Sequence, residues 1–74
     1  MAVIDEETLR YFEKAEEVWD RIEALPEGKE KDELILLLKR ADKAWNAGNS
    51  RRAWQLIEEI EKRLAIQESA SKII

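Results

Sequence analysis

Carboxylates are the most abundant groups in this sequence that could do chemistry. Four of them follow one another at helical spacing, at Glu13, Glu16, Glu17 and Asp20. A di-metal site in a helical bundle needs inward-facing carboxylates, usually with Glu-x-x-His motifs, but the 74 residues contain no histidine and no cysteine. These acids also lie mostly off the apolar face of their segment. We therefore interpret them as a solvated helix face, and we expect no catalytic residue, no metal site and no cofactor.

The remaining composition excludes further classes of function. The only glycines, Gly28 and Gly48, cannot form a phosphate-binding loop. The net charge of −4 argues against a nucleic-acid partner, because binding phosphates needs a basic face. The charge is uneven, however, with 12 acidic and 5 basic side chains in residues 1–33 and 5 acidic and 8 basic ones in residues 34–74.

The sequence also lacks the long apolar stretches that membranes require. Its longest apolar run, Leu34 to Leu38, is far shorter than the ~20 residues needed to span a bilayer. The first residues have no basic region followed by an apolar stretch, so they do not resemble a secretory signal. We expect a soluble protein of cytoplasmic type without a membrane partner.

Apolar residues recurring at alternating spacings of four and three predict three helices. They span about residues 5–25, 29–47 and 50–68 or longer, and each has one inward stripe. The first stripe is Ile4, Thr8, Tyr11, Ala15, Val18, Ile22 and Leu25, and Leu9, Phe12 and Trp19 should widen it on one side. The second is Leu34, Leu37, Leu38, Ala41 and Trp45, and the third is Ala53, Leu56, Ile57, Ile60 and Leu64.

Local signals define where these helices begin and end. Asp5 is a good N-cap, and Ile4 and Leu9 occupy the positions of a hydrophobic staple. Residues 26–28, Pro-Glu-Gly, interrupt the first pattern because proline cannot continue a helix.

The interruption between the second and third predicted helices is also short. Gly48 fits the residue just after a helix, where a left-handed backbone favours glycine, and both Asn49 and Ser50 could cap the next helix. Since both loops are short, successive helices should be antiparallel. The sequence therefore predicts one all-α domain over residues 1–74, an antiparallel up-down-up three-helix bundle.

Antiparallel packing should gather the aromatic residues at one end of this bundle. Trp45 and Trp54 flank the second turn, and Tyr11 and Phe12 of the first helix should lie near the same end. Large aromatic side chains supply buried area to a small core. The same cluster could instead contact a partner or ligand, so both interpretations are open.

Two features depart from local rules and mark candidate binding residues. Arg51 and Arg52 lie in the first turn of a helix, where cations oppose the helix dipole. With Lys43 they form a basic patch beside Trp54. This patch could receive an acidic segment of a partner, or it could face the acidic start of the first helix.

The second feature is the apolar run from Leu34 to Leu38, which covers the whole circumference of its helix. Leu36 points nearly opposite the inward stripe and Ile35 points to the side, so at least one of them must be exposed. A contiguous exposed apolar patch would mark a partner surface or self-association. The candidate protein-binding residues are therefore Ile35, Leu36, Arg51, Arg52 and Trp54.

Residues 37–60 resemble a single helical hairpin of the tetratricopeptide type. The similarity lies in the spacing of the small and apolar residues Ala41, Ala44, Gly48, Ala53, Ile57 and Ile60. Arg40 stands where that repeat has leucine, and no proline follows the second helix. The resemblance implies a role in binding proteins.

The chain as a whole resembles computationally designed helical bundles. It is rich in glutamate, lysine and arginine, has its one methionine at position 1, and combines explicit caps with short loops. The arginines at a helix start and the run from Leu34 to Leu38 depart from that pattern. The resemblance implies a non-enzymatic scaffold expressed in a bacterial cytoplasm.

The alternative is a small interaction module that binds a partner or itself through the exposed apolar face or the aromatic and basic end.

Overall fold

A computed structural model describes residues 5–71 of the chain. They form three α-helices, α1 (Glu6–Glu23), α2 (Lys29–Asn46) and α3 (Ser50–Ser71). All three helices pack against one another, and α2 and α3 contact each other most extensively. The predicted all-α, antiparallel three-helix bundle is confirmed. Within residues 5–71 no helix has both the length and the apolar character needed to cross a membrane.

The observed helix ends differ slightly from the predicted ones. The first helix was expected to reach Leu25 but ends at Glu23, because Leu25 precedes Pro26 and a residue before proline disfavours the α-helical backbone. The second ends at Asn46 rather than at residue 47. The third was expected to reach residue 68 or beyond, and it agrees with that prediction by extending to Ser71.

Asp5 caps α1 as predicted. Its carboxylate accepts a hydrogen bond of 2.7 Å from the backbone N–H of Thr8, and this bond lowers the pKa of Asp5. The sequence also predicted a hydrophobic staple between Ile4 and Leu9 at this helix start. Ile4 lies outside the described residues.

The turn between α2 and α3 is closed by backbone hydrogen bonds at Gly48. Gly48 has a φ of 84°, a left-handed conformation that side chains resist. Its N–H donates to the carbonyl of Trp45, and the N–H of Asn49 donates to that of Ala44. The Asn49 side chain then accepts from the N–H of Arg52 at 3.2 Å. Asn49, rather than Ser50, is therefore the cap of α3.

The core follows the alternating spacing of four and three that the sequence shows. Burying one large apolar side chain contributes about 1.5–3 kcal/mol, so these residues provide most of the drive to fold. The buried apolar residues are Tyr11, Val18, Ile22, Leu34, Leu38, Ala41, Ala53, Leu56, Ile57, Ile60 and Leu64.

One expectation about the core was wrong. Leu9, Phe12 and Trp19 do not widen the buried stripe of α1, because they are 52%, 53% and 38% exposed. A helix in a three-helix bundle touches only two neighbours, so one flank of its apolar stripe can remain uncovered. In α1 that flank carries aromatic residues.

Candidate functional site

The aromatic end of the bundle is built around Tyr11. Its ring stacks on Trp45 with the centroids 4.2 Å apart and the planes 4° apart. Trp54 and Phe12 meet the same ring edge-on, at 5.5 Å and 5.8 Å. The predicted gathering of these four residues is confirmed. Such ring pairs contribute about 0.5–1.5 kcal/mol beyond their buried area.

The hydroxyl of Tyr11 has a specific partner on α2. It donates a hydrogen bond of 2.8 Å to the Oδ1 atom of Asp42. Burial raises the pKa of Tyr11, and the hydrogen bond from its hydroxyl to the Asp42 carboxylate and the charge of that carboxylate raise it further. Tyr11 therefore remains a neutral donor that joins the start of α1 to the end of α2.

A groove runs along the outside of the bundle between α1 and α2, with a volume of about 410 Å³. We call it the α1/α2 groove. Tyr11 and Leu38 form part of its floor. Its walls are Phe12, Ala15, Glu16 and Trp19 of α1 and Ile35, Lys39, Asp42, Trp45 and Asn46 of α2. It is therefore an aromatic and aliphatic channel with a few charged side chains among its lining residues.

Ion pairs connect α1 to α3 on the opposite flank of α1. Lys14 contacts Glu61 at 3.2 Å, and Arg21 binds Glu68 through two hydrogen bonds of 3.0 Å and 2.6 Å. In both pairs the partners lie 47 positions apart in the sequence. The two helices are thus parallel and in constant register. We call this contact the α1/α3 seam.

The ion pairs of the α1/α3 seam also affect the titration of its two cations. Hydrogen bonding to Glu61 raises the pKa of Lys14, and hydrogen bonding to Glu68 raises the pKa of Arg21. Both cations therefore remain charged across the physiological range.

A third contact, which we call the α2/α3 seam, is also crossed by a charged pair. Arg63 lies 3.4 Å from Glu33 of α2 and 3.2 Å from Glu59 of its own helix. Leu36 and Arg40 line a shallow depression beside this contact.

Among residues 5–71, Lys31 is the one charged residue that is buried, and the sequence reasoning did not single it out. Its amine donates to the backbone carbonyl of Glu23 at 3.3 Å and to the carboxylate of Glu27 at 3.2 Å. It therefore satisfies a free carbonyl in the last turn of α1, where a cation is favoured. The helical spacing could have predicted the burial of Lys31, because it lies three residues before Leu34 and so falls on the inward stripe of α2.

The structure separates the two candidate residues of the apolar run. Ile35 is half-buried and lines the α1/α2 groove, packed against the core. Leu36 is 49% exposed and faces the α2/α3 seam. The expectation that one of the two is exposed is confirmed, but they do not form one surface. Their role in binding stays a prediction.

The basic candidates are also separated from the tryptophan beside them. Arg52 shares a depression with Lys43 and Arg40 at the α2/α3 seam. Trp54 is half-buried and faces the acidic start of α1 instead, beside Glu6, Glu7 and Arg10.

Arg51 and Arg52 are both exposed. Within residues 5–71 neither arginine forms an ion pair with Glu6 or Glu7. The arginines therefore make no ion pair with these two acids, and both interpretations of the basic patch, as a neighbour of the start of α1 or as a site for an acidic partner segment, stay predictions.

The described residues offer no cluster of three or more acidic side chains placed to hold a metal ion. Comparisons with known proteins found no matching protein family, no matching curated protein and no matching solved structure. Any assignment of function must therefore come from the surfaces of the bundle itself.

Proposed function

We propose that this chain is a non-enzymatic scaffold, a designed helical bundle whose main property is its stable three-helix fold. The observation that carries the proposal is the completeness of its polar contacts. Within residues 5–71 every buried side-chain nitrogen and oxygen atom has a hydrogen-bond partner. Such full satisfaction is a criterion that successful designs are required to meet.

Local structure supports the same proposal. Asp5 and Asn49 cap their helices with side-chain hydrogen bonds, and Gly48 closes α2 with a left-handed residue. These devices each contribute about 0.3–1.5 kcal/mol, and designed helices combine them deliberately. The lack of histidine and cysteine removes the usual nucleophile–base pairs of enzymes.

Thermal and chemical unfolding tests this proposal. We expect one cooperative transition, with agreement between the calorimetric and van't Hoff enthalpies and a midpoint above the ~45–65 °C of ordinary mesophilic domains. A broad transition without cooperativity, or a midpoint below that range, would contradict a scaffold selected for stability.

A second candidate function is an interaction module that binds a protein or itself. The specific observation in its favour is the exposure of Phe12 and Trp19 in the α1/α2 groove, because aromatic side chains are enriched at the centres of interfaces. The basic residues Arg51 and Arg52 offer a separate surface for an acidic segment. Capture of an acidic helical peptide, lost in Arg51→Glu and Arg52→Glu, would favour that separate surface.

A further inference from the structure

The three outer faces of the bundle differ in whether ion pairs bridge their two helices. The α1/α3 seam and the α2/α3 seam are bridged by ion pairs. Over the length of the α1/α2 groove, residues 11–19 and 35–46, the structure has no ion pair between the two helices. Along this groove the exposed side chains of Phe12 and Trp19 therefore meet water with no ion pair across them.

The pattern of α1 explains this difference. With Tyr11, Ala15, Val18 and Ile22 at the two core positions of a heptad, Lys14 and Arg21 occupy one flanking position and Phe12 and Trp19 the other. Both flanking positions of helical bundles commonly carry charges that pair with a neighbouring helix. Aromatic residues repeated at one flank indicate that another apolar surface belongs there.

The charges of the groove suggest what that surface is. Glu16 lies on the α1 side and Lys39 on the α2 side, and neither has an ion-pair partner within residues 5–71. The third charged residue, Asp42, already accepts the hydrogen bond of Tyr11. The groove thus presents one unpaired charge of each sign.

Glu16 and Lys39 lie at about the same level of the bundle. Tyr11 contacts both Asp42 and Trp45, and helices rise about 1.5 Å per residue. Glu16 is therefore about 7.5 Å along α1 from Tyr11, while Lys39 is about 4.5–9 Å along α2 from those two contacts.

The placement of Glu16 and Lys39 makes the groove complementary to a second copy of itself about one kind of two-fold axis. A two-fold axis parallel to the helices keeps each residue at its level and lays α1 of one protomer on α2 of the other, so that opposite charges meet. A two-fold axis across the helices would instead bring Glu16 near a second Glu16, because both charges lie near the middle of the groove. Like charges so placed would repel.

We propose that two copies of this chain associate through the α1/α2 groove about a two-fold axis parallel to the helices. Phe12 and Trp19 of each protomer become covered, and Glu16 pairs with Lys39 of the partner subunit. The contact patch is the same on both protomers, as closed dimers require. This inference deepens the second candidate function and does not depend on the scaffold proposal.

Sedimentation equilibrium of the full chain, from micromolar to millimolar concentration, tests the association. We expect the average mass to rise from 8.7 kDa toward twice that value. The variant Phe12→Glu should weaken dimerisation about tenfold or more, because it puts a charge into the apolar centre of the contact. The matched control is Leu36→Glu, which alters a similarly exposed residue outside the groove and should change the dissociation constant less than about twofold.

A charge exchange tests the symmetry without disturbing the apolar residues. Either Glu16→Lys or Lys39→Glu alone should weaken self-association roughly fivefold, since each creates two repulsive contacts per dimer. An equimolar mixture of the two variants should recover association, because in the mixed dimer both contacts regain opposite charges. Circular dichroism of each variant would check that the helices are retained.

Three results would overturn the proposal. The first is a mass of 8.7 kDa at every concentration. The second is a dimer lost on Leu36→Glu but kept on Phe12→Glu, which would put the contact at the α2/α3 seam. The third is a dimer indifferent to both single charge changes, which would exclude the parallel axis. A monomer that unfolds cooperatively at high temperature would contradict this inference and leave the scaffold proposal standing.

Discussion

The two flanks of α1 differ in the side chains that border the core. On the α1/α3 seam, Lys14 and Arg21 reach across the boundary and pair with acids of α3. On the α1/α2 groove, Phe12 and Trp19 occupy the corresponding places and remain 53% and 38% exposed. The core beneath both flanks is the same. Charged residues thus complete one side of this helix, while aromatic residues leave the other side open to a further contact.

The largest expected effect concerns the buried ring beneath the groove. Tyr11→Ala should lower the free energy of unfolding by about 3–5 kcal/mol, because it removes a fully buried aromatic ring and leaves a cavity. The control, Phe12→Ala, should lower it by about 1 kcal/mol, since that ring is half exposed. Urea unfolding monitored by circular dichroism measures both. Equal losses would show that the groove wall is as buried as the core.

Alkaline pH should weaken the contact between Tyr11 and Asp42. Burial raises the pKa of Tyr11 above its ordinary value near 10, so this group's contribution to stability is complete below pH ~10 and is lost as the pH rises through the raised pKa. Above pH ~10 the unfolded chain has released this proton and the folded one has not, so unfolding free energy should fall by about 1.4 kcal/mol per pH unit.

Tyr11→Phe isolates that effect from the titration of lysines. The variant should lose this part of the pH slope, while at neutral pH it should cost about 1 kcal/mol for the missing hydrogen bond. Because Tyr11 is the only tyrosine, tyrosinate absorbance reports its titration directly. Identical alkaline slopes in the two proteins would contradict the assignment.

A smaller effect should come from the α1/α3 seam. Arg21→Gln should cost about 0.5–1 kcal/mol through loss of the paired hydrogen bonds to Glu68, and the loss should shrink at high salt. The matched control, Arg10→Gln, removes an exposed pair with Glu6 within one helix and should cost no more than about 0.5 kcal/mol. Urea unfolding at low and high salt would compare the two variants. If they lose equal stability at low salt, the seam does not stabilise the bundle.

The smallest expected effect on monomer stability comes from giving the aromatic flank of α1 a charged residue like those of the other flank. Trp19→Lys should lower the unfolding free energy of the monomer by no more than about 1 kcal/mol, because the side chain is already partly exposed and the lysine stem keeps part of its apolar packing. Its effect should appear in self-association instead. A loss of several kcal/mol in dilute solution would place Trp19 in the core and remove the contrast between the flanks.

Local chemistry in the sequence was enough to predict the elements and most of the core. The alternation of four and three identified Val18, Ile22, Ile57 and Ile60 as buried, because that period follows from helix geometry alone. The cap at Asp5 was equally readable, since it depends on neighbouring residues only. At the start of α3 the sequence left both Asn49 and Ser50 open, and the structure selects Asn49.

Which flank of each helix is covered could not be predicted in the same way. That depends on the side on which the next helix packs, and the two possible hands of a three-helix bundle share one inward pattern. For this reason Phe12 and Trp19 were expected in the core, and for Ile35 and Leu36 the sequence predicted only that at least one of them is exposed. The ion pairs of Lys14 and Arg21 with α3 depend on the same choice, so no pattern in the sequence predicts them.

Solvent paramagnetic relaxation enhancement reports directly whether the α1/α2 groove is open to water. The measurement should be made by nuclear magnetic resonance at a concentration where sedimentation reports a monomer. We expect strong enhancement at the ring protons of Phe12 and Trp19 and almost none at Tyr11 and Val18. Phe12 and Trp19 protons as protected as those of Val18 would contradict an open groove.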